Sequence, residues 1–252
     1  MSDFFATQFY YYLLVAFRLF PIFLFAPGFG EKFVLPQIRV FMTILVAIFV
    51  QPLVQDYLPA QPIHFFGLVL LLSGELAIGL FLAFISRLFV YLLESAGAII
   101  AQVIGFSNAL SNSPVSAQQA SIISAFLSLT GLLLIFTLSL HHLFIYGTID
   151  SYAIFKPGFL PPLAEFSDHF VQMVSKTFKL SVYFAAPFLV VSLIFYLGMG
   201  ILSRLVTQIQ IFFIAAPLQL LIGTFVLFLC FATLFSWYEL QIKENLGQVW
   251  RG

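Results

Sequence analysis

The stretch IHFFGLVLLLSGELAIGLFLAFISRLFVYLLESAGAIIAQVI, residues 63–104, decides the fold of this chain. It is almost continuously apolar and contains no proline, so it favours helix throughout. At 1.5 Å per residue a single helix would be about 60 Å long, about twice the thickness of the hydrocarbon core of a bilayer. Such a helix is too long for one ordinary span. Either it breaks at its glycines, or the helices of this chain are not embedded in a flat bilayer in the usual way. We favour helices that pack against protein along much of their length.

The rest of the chain is also strongly apolar. Of its 252 residues, 62% are hydrophobic and 8% are charged, whereas soluble domains average about 25% charged residues. So few charges cannot cover the surface of a soluble domain of this length, which predicts an integral membrane protein. The first residues, MSDFF, lack the basic start of a cleavable signal peptide, so we expect the first apolar segment to be retained.

About six apolar segments predict an all-α membrane protein whose helices form hairpins within a single membrane domain, residues 1–252. No alternating pattern of the outer-membrane barrel type occurs. The segments are 9–26, 40–54, 63–104, 121–149, 178–204 and 209–237. The second has about fifteen residues and is too short to span unaided. The last two form a predicted hairpin with a polar tip.

Polar and charged residues in or beside the apolar segments are the first candidate functional residues. A charge at the bilayer centre costs roughly 2.5–3.5 kcal/mol, so each needs a partner, a water-filled cavity or an interface. Two interpretations stay open: these side chains reach the interface or pair with neighbouring subunits, or they line an ion or proton pathway. The set comprises Arg18, Glu75, Arg87, Glu94, Arg204, Gln208 and Gln210.

A neutral polar segment, GFSNALSNSPVSAQQA at 105–120, directly follows the stretch that decides the fold. It holds small and uncharged polar residues, one proline and two consecutive glutamines, and another apolar segment comes after it. The residues alone leave two interpretations open. The segment is an ordinary connecting loop, or it is a functional loop whose lack of charge matters.

The sequence argues against an enzyme, a metal site and a nucleic-acid partner. Ten Lys and Arg balance ten Asp and Glu, so no basic footprint for nucleic acid is present. Cys230 is alone, and the adjacent His141 and His142 do not have the i, i+4 spacing of a chelating pair. The sequence contains no phosphate-binding glycine loop, nucleophile elbow, HExxH or CxxC motif. We therefore expect no catalytic activity and no cofactor.

An ordered set of motifs resembles the FliR/SctT family of type III export gate proteins. No single motif is diagnostic, but the order is fairly specific and the resemblance covers nearly the whole chain. The motifs are Arg18, PGFG at 27–30, LPQIR at 35–39, GELAIG at 74–79, ESAGAIIAQVIGFSNALSNSP at 94–114, HHL at 141–143 and R-x-x-x-Q-x-x-x-F at 204–212. Two positions depart from the family pattern: Thr207 precedes Gln208 where Pro is usual, and Gln219 stands where Lys is frequent.

The resemblance implies that the chain is one part of an assembly in the bacterial inner membrane, at the flagellar basal body. Proteins of this family form a closed ring of helical hairpins with FliP-like and FliQ-like proteins, and much of the ring is raised out of the bilayer. An FlhB-like protein and membrane lipid are further expected partners. Residues 1–177 would resemble FliP and residues 178–252 would resemble FliQ. The implied function is that of a structural and gating subunit of a channel that exports unfolded flagellar proteins.

The resemblance also gives the neutral polar segment a function. In this family the matching segment projects into the channel and helps to plug it at rest. Phe106 and Leu110 would then be apolar obstructions. The implied plug residues are Gly105, Phe106, Ser107, Asn108, Ala109, Leu110, Ser111, Asn112, Ser113 and Pro114.

Two alternative functions stay open. One is an injectisome export gate subunit of the SctT type. The other is a secondary transporter for small solutes, which interrupted helices favour. Against a transporter, the sequence has no convincing repeat of whole halves and no midplane cluster of ionisable residues.

Overall fold

A computed structural model of the chain describes residues 2–31, 33–106, 122–158, 163–205 and 211–251. Within these ranges every regular element is a helix, which confirms the predicted all-α architecture. The elements are α1 (Ser2–Phe25), α2 (Pro36–Val54) followed by a 3-10 turn (Gln55–Tyr57), α3 (Phe65–Val103), α4 (Ile122–Thr137), α5 (His141–Ile154), α6 (Leu163–Leu205) and α7 (Ile211–Arg251).

Among the described residues, five helices are long and apolar enough to cross a membrane, and the bent pair α4 and α5 makes a sixth if it counts as one span. The chain is an all-α integral membrane protein. The prediction that the second segment is too short to span is wrong, because the apolar helical stretch runs over 22 residues, Pro36–Tyr57. Pro36 can begin this helix because the first turn needs no donor from its nitrogen.

Helix α3 is unbroken over 39 residues. The alternative that the long stretch breaks at its glycines is therefore wrong. Two of these glycines instead allow neighbouring helices to approach closely. A Cβ on Gly79 would overlap the carbonyl group of Arg18 in α1, and a Cβ on Gly97 would lie 2.5 Å from the Cα of Ser124 in α4.

The predicted apolar segment at 121–149 is divided into α4 and α5, which meet at an angle of 70°. Ser139 has a left-handed backbone with φ of 57°. The Leu140 amide donates to the Ile135 carbonyl (2.9 Å) and the Ser139 amide to the Phe136 carbonyl (3.1 Å). This pair of bonds is the Schellman arrangement that ends many helices, usually with glycine at the left-handed position. The bend therefore has a defined backbone cause.

The last two helices are longer than their apolar segments. Helix α6 has 43 residues and α7 has 41, so each is about 60 Å long. Helix α6 begins well before the apolar segment at 178–204. The turns ahead of that segment carry exposed polar residues such as Asp168 and Lys176, which interrupt an apolar pattern but are tolerated on the exposed face of a helix.

The residues group into two compact units. Unit 1 comprises Met1–Phe89, Ile135–Val174 and Leu246–Gly252, and unit 2 comprises Val90–Leu134 and Ser175–Asn245. The core of unit 1 lies where α1 packs on α2, and buried Tyr152 of α5 belongs to it. In unit 2, Phe184 and Phe188 of α6 and Tyr238 of α7 are buried. The division of the chain into FliP-like and FliQ-like parts remains a prediction.

Candidate functional site

In unit 1, Arg18 and Glu75 form a buried ion pair. The Arg18 Nε lies 2.6 Å from Glu75 Oε2 and its Nη2 lies 2.9 Å from Glu75 Oε1, so the contact is bidentate. Their side chains are 0% and 1% exposed. Each of these two residues is therefore the other's partner within the chain.

Helix α5 completes the surroundings of the Arg18 guanidinium. Nη1 donates to Ser151 Oγ at 3.1 Å, and Nη2 donates to the Phe155 carbonyl, just after the helix, at 3.0 Å. The guanidinium carbon lies 3.7 Å from the centroid of the Tyr152 ring, close enough for a cation–π contact. One arginine thus connects α1, α3 and the end of α5.

The connection between α1 and α2 is held by a second set of charges. Arg39 Nη2 donates to the carbonyls of Glu31 (2.6 Å) and Val34 (3.0 Å). The Glu31 carboxylate accepts a hydrogen bond from Arg87 Nη1 of α3 at 2.5 Å. Arg87 therefore has a partner within the chain as well. Gly28, in the same connection, has φ of 86°, a conformation that favours glycine.

The other predicted polar residues are more scattered. Glu94 is half-buried in α3, and its backbone carbonyl accepts a hydrogen bond from Ser124 Oγ of α4 at 2.6 Å. Arg204 is exposed in the last turn of α6. Gln208 and Gln210 lie outside the described residues. The alternative that these candidates line an ion or proton pathway stays a prediction.

The predicted plug begins at the end of α3, and only its first two residues are described. Gly105 has φ of 82° and its amide donates to the Gln102 carbonyl at 3.3 Å. Phe106, the next residue, is half-buried. The remaining predicted plug residues, Ser107–Pro114, lie outside the described residues.

The end of α3 is tied to α6 and α7 within unit 2. The Val103 carbonyl accepts hydrogen bonds from Gln219 Nε2 (2.6 Å) and Ser192 Oγ (3.2 Å). Gln219 Nε2 also donates to the Tyr196 hydroxyl at 2.8 Å. We call the group of Val103, Ser192, Tyr196 and Gln219 the α3 clamp. Sequence reasoning singled out Gln219 only as a departure from a family pattern, and it found no signal for Ser192.

The two adjacent histidines lie at the bend between α4 and α5. The His141 ring stacks on Phe136, with centroids 4.9 Å apart, and lies 4.1 Å from the His142 ring. The contacts of the His141 ring at the start of α5 are therefore packing contacts with other rings. Among the described residues no group of three or more His, Cys, Asp or Glu side chains is placed to hold a metal ion.

The family model and the similar proteins that match this chain all indicate the same family. Residues 9–245 match the bacterial export proteins, family 1. The chain is 36% identical over 221 residues to the flagellar biosynthetic protein FliR of Caulobacter vibrioides. The aligned residues cover 87% of this chain and 88% of that protein. It is 26% identical over 231 residues to FliR of Bacillus subtilis, with 89% and 87% covered. It is also 26% identical over 184 residues to the Yop proteins translocation protein T of Yersinia pestis, with 72% and 70% covered. The chain therefore belongs to the FliR/SctT family, family 1 of the bacterial export proteins.

Proposed function

We propose that this chain is a structural and gating subunit of a type III export gate, a channel that carries unfolded flagellar proteins across the bacterial inner membrane. The observation that carries the proposal is the family match over residues 9–245, together with 36% identity to a flagellar FliR protein. The apolar helices support the membrane part of the proposal. In this proposal the chain works at the flagellar basal body and needs no catalytic residue.

The gating part of the proposal concerns Gly105–Pro114. An unfolded polypeptide must pass a gate that blocks ions at rest and yet binds no particular sequence. A loop of small, uncharged residues suits this task because it places no fixed charge in the path of the substrate. Phe106 and Leu110 would supply the apolar obstruction. The α3 clamp supports this proposal because it holds the helix end from which the loop starts.

The proposed partners are FliP-like and FliQ-like membrane proteins in one ring, with an FlhB-like protein and the exported chains. Two features of the helices support an assembly. Helices α6 and α7 are each about twice as long as the hydrocarbon core is thick. In addition, α6 leaves large apolar side chains exposed, including Leu193, Leu197 and Ile201. Lipid tails can cover only part of such long surfaces.

Ion conductance of the assembled complex tests the gate. The complex is purified with its FliP-like and FliQ-like partners, reconstituted into liposomes, and compared with a variant that lacks residues 107–113. The deletion is expected to raise ion leakage without loss of co-purification. The double substitution of Phe106 and Leu110 to alanine should also leak, whereas the matched polar change Asn112→Ala should not. Background conductance in an assembled deletion variant would exclude the gating function.

The flagellar function is favoured over the injectisome function by the 36% identity to FliR of Caulobacter vibrioides, against 26% for the Yersinia protein. FliR of Bacillus subtilis is also 26% identical, but over 231 residues and not 184. Deleting the gene and scoring motility separately from effector secretion distinguishes the two. Loss of motility alone supports the flagellar proposal, and loss of effector secretion alone supports the injectisome. A purified monomer that transports a small solute in liposomes would overturn both.

A further inference from the structure

We infer that Gln219 is a positioning residue that, with Ser192, fixes the end of α3 and so the point where the chain leaves that helix. The inference rests on four described residues in unit 2: Val103 at the end of α3, Ser192 and Tyr196 in α6, and Gln219 in α7. Its consequence for ion leakage rests on the proposed function, but the clamp itself does not.

The clamp is centred on the backbone carbonyl of Val103, an acceptor that has no hydrogen-bond donor within helix α3. The carbonyls in the last turn of a helix have no amide partner four residues further along. The Val103 carbonyl obtains two side-chain donors instead, one from each of two other helices. The bond from Gln219 is short, at 2.6 Å. The second bond of the same Nε2, to the Tyr196 hydroxyl at 2.8 Å, orients the amide group.

Packing fixes the same point sterically. Ile104 is buried, and it lies so close to Gly223 of α7 that a Cβ on this glycine would be 2.5 Å from Ile104 Cγ2. Gly105 lies beside Gln219, because a Cβ on Gly105 would be 3.5 Å from Gln219 Cδ. Three consecutive residues, Val103, Ile104 and Gly105, are thus held against α6 and α7 by hydrogen bonds and by close packing. Within this held segment the chain turns at Gly105, whose φ is 82°.

The chemistry of the clamp requires a donor at position 219. In both contacts of the clamp Gln219 acts through Nε2, toward one carbonyl and one hydroxyl oxygen. A methionine has similar length but no donor. A lysine has both the reach and the donors, since its ammonium group carries three N–H groups and no acceptor. The two substitutions therefore separate hydrogen bonding from side-chain size.

Hydrogen–deuterium exchange of the assembled complex tests the clamp directly. The readout is the peptide that contains the amides of Ile104 and Gly105, which bond to the carbonyls of Ile100 and Gln102. Gln219→Met should speed exchange there by about fivefold, the effect of losing one ordinary net hydrogen bond, and Gln219→Lys should restore the slow exchange. Thr224→Val, which removes a hydroxyl bond within α7, is the matched control and should leave this peptide unchanged. If Gln219→Met prevents assembly, Ser192→Ala is measured in its place.

Unchanged exchange in Gln219→Met, or equal acceleration in Gln219→Met and Gln219→Lys, would overturn the inference. Ion leakage is measured on the same samples, so that a failure of the clamp can be distinguished from a failure of the proposed gate. Faster exchange with leakage in Gln219→Met supports the clamp and its link to the seal. Faster exchange in a complex whose loop deletion stays ion-tight supports the clamp and overturns the gate.

Discussion

Arg18 and Glu75 are 57 residues apart in sequence and share two hydrogen bonds, of 2.6 and 2.9 Å, between fully buried side chains. Burying two charges costs about as much as their attraction returns, so such a pair is weak evidence for net stability. Removing one partner is different, because it leaves an uncompensated charge. The pair is therefore best understood as a device that fixes how α1 and α3 meet.

We expect Glu75→Gln to destabilise the protein by about 3–5 kcal/mol, the usual cost of breaking a buried pair from one side. The measurement is the thermal unfolding midpoint of the purified complex in detergent. Lys243→Ala is the control, since Lys243 pairs with Glu239 on an exposed part of α7. An exposed pair of this kind contributes about 0–1 kcal/mol. Equal effects of the two substitutions would contradict this interpretation.

Arg18→Lys should also destabilise, although it keeps the charge. A lysine cannot make the bidentate contact with Glu75 and also reach Ser151 Oγ and the Phe155 carbonyl. It also loses the planar contact with the Tyr152 ring. We expect a loss of about 1–3 kcal/mol, from the unsatisfied partners. A midpoint equal to that of the unsubstituted protein would show that charge alone is sufficient.

Gly97→Ala should separate α3 from α4 and lower stability, because the added Cβ would lie 2.5 Å from a backbone atom of Ser124. Gly198→Ala in α6 is the matched control, since among the described residues no atom beyond the neighbouring backbone of α6 itself lies within 4 Å of a Cβ placed there. In the isolated chain Gly198→Ala should be neutral or stabilising by up to about 1 kcal/mol, the difference in helix propensity. Stability against denaturant in detergent measures both changes. A destabilised Gly198→Ala in the isolated chain would contradict the prediction.

Ser139→Gly should stabilise the bend between α4 and α5. Ser139 holds a left-handed conformation that costs a residue with a Cβ about 1–2 kcal/mol, and glycine avoids this cost. Ser139→Val should destabilise, because a β-branched side chain is the least tolerant of this conformation. Opposite shifts of the thermal midpoint are expected. Shifts in the same direction would mean that the bend does not depend on this backbone conformation.

The sequence predicts the helices better than their ends. Apolar content identifies every long helix, but α6 begins at Leu163 and not near 178, because polar residues end an apolar stretch without ending a helix. The bend at Ser139 could not be predicted, since it uses a serine where glycine would be the usual signal.

The candidate site, too, is only partly predictable from the sequence. Arg18 and Glu75 are identifiable as buried charges that need partners, but their pairing is a long-range contact that no spacing reveals. Gln219 stands out only against a family pattern, and its contact with Val103 joins residues 116 positions apart. The residue types in the sequence can therefore identify candidate residues for a site, whereas the contacts between distant residues are known only from the folded structure.

The lengths of α6 and α7 have a consequence for how much of the protein is present in the membrane. Each helix is about twice as long as a hydrocarbon core of about 30 Å is thick, and Leu193, Leu197 and Ile201 of α6 are 62–65% exposed. Neither lipid nor water is a good solvent for such a surface along its whole length. In the assembly that we propose, neighbouring subunits would cover this surface, so the amount of the protein in the membrane should fall when its proposed partners are absent.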